Sequence, residues 1–199
     1  MHFFFVKDYR KKYRYFSTEP FHNVRVKFSR WKKIWDQARQ KLMLLPQRIL
    51  VQEQAFEQVL HSKTKSLEIL YSGRCDQQRI KHHFFFFLQR QRTRHIFFLI
   101  GETFLLPISG LAALIPGPNV FFGVLALLMI THWQALRGIN RLLKKDYDFK
   151  SSPLLREWEQ VIDSKSEEDF FPVLKRIGEE YGIKNIQKIL WKQDQHIPK

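Results

Sequence analysis

The chain has 199 residues, with 34 Lys or Arg against 19 Asp or Glu and a formal net charge of +15 at pH 7. This length allows one or two domains, and the excess of positive charge points to an anionic partner, either nucleic acid or a membrane surface. The single cysteine, Cys75, excludes an intramolecular disulfide framework and a cysteine-rich metal site.

The N-terminal segment, residues 1–30, is basic and aromatic. Residues 2–6 and 13–17 are aromatic runs on either side of a basic loop, which predicts a β-hairpin. Residues 24–28 alternate apolar and basic side chains, which predicts a third, half-buried strand whose basic face contacts either solvent or anionic headgroups. A basic, acid-poor start also fits a mitochondrial targeting sequence, but the aromatic runs favour folded structure.

Residues 31–95 are predicted to form two amphipathic helices and a basic collar. The first helix, over residues 30–45, packs either in a soluble core or in a membrane interface. The second helix, over residues 47–71, carries an apolar stripe on one side. His82 and His83 are adjacent and therefore point in different directions on a helix, which argues against a metal site there.

The most informative stretch is the apolar run over residues 96–130, in which Glu102 is the only formally charged residue. Pro116 and Pro118 divide the run, because proline removes a backbone donor and restricts the residue before it. The first half has about 20 residues, close to the length that crosses a hydrocarbon core. The pattern predicts a transmembrane helical hairpin over residues 96–143, with a re-entrant hairpin as the alternative.

Basic residues flank this run at both ends, and the turn between its halves carries no charge. By the positive-inside rule, both flanks and both termini lie on the cytoplasmic side of a bacterial inner membrane or the matrix side of a mitochondrial one. The predicted turn comprises Pro116, Gly117, Pro118 and Asn119, and the predicted basic membrane collars comprise Arg90, Arg92, Arg94, Arg141, Lys144 and Lys145.

Glu102 and His132 are the candidate functional residues, since an ionisable group at membrane depth is costly and by default indicates function. They lie equally far from Gly117 along the chain, so two antiparallel helices that turn there place them side by side. A buried carboxyl group beside an imidazole can respond to protons near neutral pH; the alternative is a structural pair that holds two helices together. Measuring proton-coupled cation flux in vesicles after Glu102→Gln distinguishes the two.

The C-terminal segment, residues 144–199, is predicted to be a charge-balanced helical module behind a polar linker over residues 144–152. Ser152 with Pro153 marks a helix start, because proline at the first helical position loses no bonded donor. The sequence contains no nucleophile with a base, no phosphate-binding loop and no metal-ligand spacing. It therefore predicts no enzymatic activity, no cofactor and no metal site.

Two segments, PGPNVFF at residues 116–122 and HWQALRG at residues 132–138, resemble motifs of the mitochondrial potassium/proton exchange-related family. The second family motif reads S-H-W-x-A-L-x-G and ends a membrane helix; here Thr131 replaces the serine. The resemblance implies a role in potassium/proton exchange across an inner membrane, as an exchanger, a component or a regulator. The family-motif residues after His132 are Trp133, Ala135, Arg137 and Gly138.

The sequence thus predicts a mainly α-helical membrane protein: a transmembrane hairpin with a small β-containing N-terminal segment, long amphipathic helices and a short C-terminal helical module. Its predicted function is monovalent cation (potassium)/proton exchange or its regulation, in contact with anionic headgroups. A homo-oligomer or another membrane protein is the expected protein partner. The alternative is a hairpin-anchored scaffold that binds lipid or a partner protein without transport. Nucleic acid is not expected as a partner, because the hydrophobic hairpin favours a membrane surface; a nucleic-acid-binding protein would be extracted from membranes by salt alone.

Overall fold

The computed structural model describes residues 2–18, 47–61, 66–111, 120–164, 167–183 and 186–191. These residues form four strands and six helices. The strands are β1 (Phe3–Lys7), β2 (Tyr13–Ser17), β3 (Ser66–Tyr71) and β4 (Asp146–Ser151). The helices are α1 (Gln47–His61), α2 (Gln77–Leu111), α3 (Val120–Leu142), α4 (Pro153–Ser164), α5 (Glu167–Tyr181) and α6 (Ile186–Leu190).

The strands form one mixed sheet in the order β2-β1-β3-β4. β1 pairs antiparallel with β2, whereas β3 pairs parallel with both β1 and β4. Parallel neighbours cannot be joined by a tight turn, so the chain crosses from β3 to β4 through α2 and α3. The helices that the sequence presents as a membrane hairpin are thus the crossover of a parallel strand pair.

The aromatic run of β1 explains the layered architecture. Alternate side chains of a strand point to opposite faces, so Phe3 and Phe5 enter one core while Phe4 and Val6 enter the other. A strand that is buried on both faces is apolar without alternation, as this one is. Helices α1, α2 and α3 cover the first face and α4, α5 and α6 cover the second, which gives three layers.

The predicted β1–β2 hairpin is confirmed, and a buried aspartate shapes its turn. The carboxylate of Asp8 accepts the backbone N–H groups of Arg10 and Lys12 at 2.9 and 3.0 Å and the side chain of Arg14 at 2.8 Å. Lys11 adopts a left-handed φ of 58° inside this turn. One charge therefore satisfies the loop donors and pairs with a basic residue of β2.

The predicted transmembrane hairpin, and with it the membrane fold class, is wrong. In the described ranges, no helix has both the length and the apolar character that crossing a membrane requires. The apolar run is divided between the end of α2 and the start of α3, and each helix continues into a half that contains polar residues. Those halves pack on the sheet through Phe84 and Leu88 of α2 and Ala135 and Ile139 of α3.

Two further elements differ from the sequence prediction. The helix predicted over residues 47–71 ends at His61, and residues 66–71 form β3. The predicted linker contains β4, whose Phe149 is buried in the first core although its neighbours are polar.

The helix start at Ser152 is confirmed, since its Oγ accepts the backbone N–H of Leu155 at 3.3 Å. The predictions for residues 24–28, 30–45 and 116–119 lie outside the described residues.

Candidate functional site

Four ionisable side chains meet between the three helices of the first face. Glu53 comes from α1, His95 and Glu102 from α2, and His132 from α3; we call them the buried polar cluster. Their exposed fractions are 4, 3, 8 and 8%, respectively. Burial of acids and imidazoles at this level is costly unless they interact with one another or with a ligand.

Helical spacing brings these residues to one place. His95 and Glu102 are two turns apart and share one face of α2. Glu53 lies about one turn before the buried Phe56 on α1 and therefore shares its inward face. The cluster residues of each helix thus lie on the face that packs against the neighbouring helices.

The family-motif glycine lets α3 approach α1 closely. A Cβ atom added at Gly138 would lie 3.2 Å from the Cα of Phe56 and nearer still to its carbonyl group. Ala135, one turn earlier on α3, is also buried. The small side chains of these two motif residues therefore set the separation of α1 and α3, on which the distance from Glu53 to His132 depends.

Short distances join the cluster. The Nδ1 atoms of His95 and His132 are 3.0 Å apart, so one imidazole N–H donates to the lone pair of the other. Nε2 of His132 lies 3.4 Å from a carboxylate oxygen of Glu102. Glu53, His95 and His132 each offer one ligand atom, and these atoms lie within 4.8 Å of one another.

Aromatic rings enclose the two histidines. Phe98 stacks on the ring of His132 with the centroids 5.1 Å apart, and Phe56 meets His95 edge-on at 6.4 Å. The guanidinium of Arg94 lies over Phe98 at 5.4 Å. The rings limit access of water and hold the imidazoles in fixed orientations.

Burial shifts two of the cluster's titrating groups. Desolvation, reinforced by the nearby His132 and Arg94, lowers the pKa of His95 to about 3, so its imidazole is neutral at physiological pH. Desolvation and the neighbouring Glu53 raise the pKa of Glu102 to about 7. The second carboxylate oxygen of Glu102 has no hydrogen-bond partner among the described residues.

The structure brings Glu102 and His132 together, as their equal distances from Gly117 along the chain predict, but within a cluster of four residues. A pair of imidazoles with two carboxyl groups can hold a proton or a cation. That Glu102 and His132 respond to protons stays a prediction.

Apart from the turn residues, the other predicted site residues lie on α2 and α3 or, for Lys144 and Lys145, directly after α3. Among the motif residues, Trp133 and Arg137 are exposed while Ala135 and Gly138 are buried. The predicted turn residues are outside the described ranges. The collar residues Arg90, Arg92, Arg94, Arg141 and Lys144 are exposed, and Lys145 is half-buried.

Sequence reasoning missed two of the four cluster residues. His95 directly follows the arginines of the first collar and is polar like them, so the sequence pattern groups it with the collar. Its spacing of two helical turns from Glu102 is the signal that places it on the buried face instead. For Glu53 the signal is an acid within an otherwise apolar helical stripe. Neither signal alone indicates that the two side chains meet.

The fold and the site define a three-layer α/β protein with a buried polar cluster between the helices of one face. The sequence matches the family described as mitochondrial K+-H+ exchange-related over residues 10–145. This match spans more than half of the chain and contains all four cluster residues, so the chain belongs to that family. Neither a curated protein nor a solved structure matches it. The family description links the chain to mitochondria and to K+/H+ exchange.

Proposed function

We propose that the chain acts in mitochondrial K+/H+ exchange as a component or regulator that binds the surface of the inner membrane. Family membership supports the link to exchange, and the exposed face of α2 supports the membrane contact. The observation that carries the proposal is the combination of exposed aromatic rings with arginines on that face.

Large apolar side chains recur on the outer face of α2. Phe86, Phe97 and Phe104 are exposed to 71, 75 and 74%, and their spacing places them on one side of the helix. On the adjacent helix α3, Ile130 and Trp133 are exposed as well. Phenylalanine rings on such a face suit insertion at the boundary between headgroups and acyl chains, and Trp133, whose ring carries an N–H, suits the headgroup level.

The charge on the same surface selects an anionic membrane. Arg90 and Arg94 lie on the side of α2 that presents Phe97, and Arg137 is exposed on α3. The two helices contain a single acidic residue, Glu102, which is buried. Each basic residue near an anionic leaflet contributes about 1 kcal/mol, and no exposed carboxylate on these helices offsets it.

Vesicle binding tests the membrane contact. We expect the purified full chain to sediment with phosphatidylcholine vesicles that contain cardiolipin and to remain in solution with phosphatidylcholine alone. The combined substitutions Phe86→Ser, Phe97→Ser and Phe104→Ser should abolish sedimentation. Phe171→Ser, on α5, is the matched control for an exposed phenylalanine and should leave it unchanged. Equal sedimentation of the triple variant and the wild type would refute the proposed surface.

Exchange in mitochondria tests the role itself. Mitochondria from cells that lack the chain should swell slowly in potassium acetate, a measure of K+/H+ exchange, and the wild-type chain should restore the rate. The triple phenylalanine variant should not restore it. Normal swelling without the chain, combined with vesicle binding, would instead establish a lipid-binding scaffold that takes no part in transport.

A further inference from the structure

We propose that Glu53, His95 and His132 form a binding site for zinc or a similar divalent first-row transition-metal ion. In this site Glu102 orients the imidazole of His132 toward the ion. The inference is independent of the membrane surface and of K+/H+ exchange. It rests on the types of ligand atom, on the distances within the buried polar cluster and on the contact between Nε2 of His132 and Glu102.

The two imidazoles already stand at the separation that a shared metal ion requires. Two nitrogens that bind one tetrahedral zinc ion at about 2.0–2.1 Å lie about 3.3 Å apart. The Nδ1 atoms of His95 and His132 are 3.0 Å apart. Binding one ion requires this separation to grow by only a few tenths of an ångström. The hydrogen on Nδ1 of His95 then moves to Nε2 of the same ring, so that both Nδ1 lone pairs can bind the ion.

The carboxylate of Glu53 completes a set of two imidazoles and one carboxylate. Its ligand atom lies within 4.8 Å of those of both histidines, a gap that rotation about the side-chain bonds of glutamate can close. Two His and one Glu form a known set of protein ligands for zinc, with a fourth position left for water. Magnesium and calcium prefer oxygen ligands, so the imidazoles select a transition metal.

Glu102 lies where a carboxylate that contacts a metal-bound histidine, and not the metal ion itself, would lie. When a metal ion binds Nδ1 of a histidine, the ring carries its hydrogen on Nε2 and usually donates it to a carboxylate or carbonyl group. Nε2 of His132 faces a carboxylate oxygen of Glu102 at 3.4 Å. This arrangement favours the tautomer in which Nε2 of His132 carries the hydrogen and Nδ1 directs its lone pair at His95, from which it accepts an N–H.

The position of the site in the fold gives metal binding a structural consequence. The three ligands come from α1, α2 and α3, which also pack through apolar contacts and through the close approach at Gly138. An ion held by all three helices binds the folded chain and not the unfolded one, so it stabilises the fold.

Zinc titration of the full chain, freed of metal by a chelator and carrying no histidine tag, tests the site. We expect one equivalent to bind and to raise the thermal unfolding temperature. Glu53→Gln, His95→Gln and His132→Gln should each weaken binding about 100-fold or more, and Glu102→Gln should weaken it about 10-fold, as loss of an outer-shell partner does. The double variant His82→Ala/His83→Ala removes two exposed histidines of α2 and should leave the affinity unchanged.

X-ray absorption at the zinc edge on the loaded wild-type chain provides a readout that does not depend on how the variants fold. Scattering from two imidazoles, with oxygen completing the shell and no sulfur, is the expected result. Failure of the wild type to bind zinc would overturn the proposal. So would a spectrum that contains sulfur from Cys75, or binding that is lost in the His82/His83 variant and retained after His132→Gln.

Discussion

On the α4–α6 side of the sheet a buried carboxylate is satisfied by the fold, whereas on the α1–α3 side the buried ionisable groups face one another. Glu159 accepts the hydroxyl of Ser72 at 2.8 Å and the backbone N–H of Lys7 at 3.4 Å. Its oxygens are thus used by donors that hold α4 against the sheet. In the buried polar cluster, the polar contacts described for Glu102 and His95 are both with the imidazole of His132 and not with backbone groups.

The difference separates a structural acid from a candidate ligand-binding one. A buried carboxylate that receives hydrogen bonds from the backbone and a hydroxyl has its desolvation cost offset within the chain. For acids packed beside imidazoles and a second acid, a bound proton or cation also offsets the desolvation cost. The α4–α6 side therefore stabilises the sheet, and the α1–α3 side combines packing with the candidate site.

The largest expected effect is on the α4–α6 side, at Trp158. This side chain is fully buried, and its Nε1–H donates to the backbone carbonyl of Lys7 at 2.9 Å. Trp158→Ala should lower the free energy of unfolding by about 3–5 kcal/mol, measured by denaturant titration. The matched control is Trp133→Ala, since that ring is 55% exposed and its loss should change stability by less than about 0.5 kcal/mol. Equal losses would mean that the α4–α6 core is not arranged as described.

The next effect is on the α1–α3 side, where packing is limited by Gly138. Gly138→Ala should destabilise the fold by about 1–3 kcal/mol, because the added methyl group collides with the backbone of Phe56. At Gly101 of α2, an added Cβ meets nothing within 4 Å. Gly101→Ala should therefore raise stability by about 0.5–1 kcal/mol through helix propensity. Thermal unfolding of both variants checks the contrast, and a stabilised Gly138→Ala chain would contradict it.

A third substitution compares the acids themselves. Glu159→Gln replaces an acceptor oxygen by an amide N–H that faces the donors of Ser72 or Lys7, and it should cost about 1–3 kcal/mol. Glu157→Gln on the same helix removes an exposed pair with Arg176 and should cost less than about 1 kcal/mol. Similar values for the two variants, determined in the same denaturant series, would show that Glu159 is not structurally satisfied.

The last prediction concerns the pH dependence of stability and tests Glu102. In the presence of a chelator, the folded-state pKa of Glu102 is raised to about 7 by burial and by Glu53, above its ordinary value near 4.5. Because the folded state then favours the protonated acid, the stability tied to Glu102 is present below pH 4.5 and is lost as the pH rises to about 7. Glu102→Gln should remove this decline, so the variant should gain stability relative to the wild type between pH 5 and 8. Parallel pH profiles for the two chains would rule this out.

Part of this protein follows from the sequence by short-range rules. The aromatic runs and the loop between them define the β1–β2 hairpin, and Ser152 with Pro153 defines the start of α4, because turn and cap chemistry involves only neighbouring residues. The equal distances of Glu102 and His132 from Gly117 predict that they meet. The motif around His132 indicates the family.

The tertiary structure alone decided the rest. Residues 66–71 and 146–151 become strands through parallel pairing with a partner far away in sequence, which local patterns do not encode. The apolar run of α2 and α3 has the composition of a membrane hairpin, yet the two helices cover a sheet. Glu53 and His95 join Glu102 and His132 because three helices pack on that sheet, with Gly138 allowing their close approach. A site assembled across separate elements is specified by packing, and no spacing within one helix reveals it.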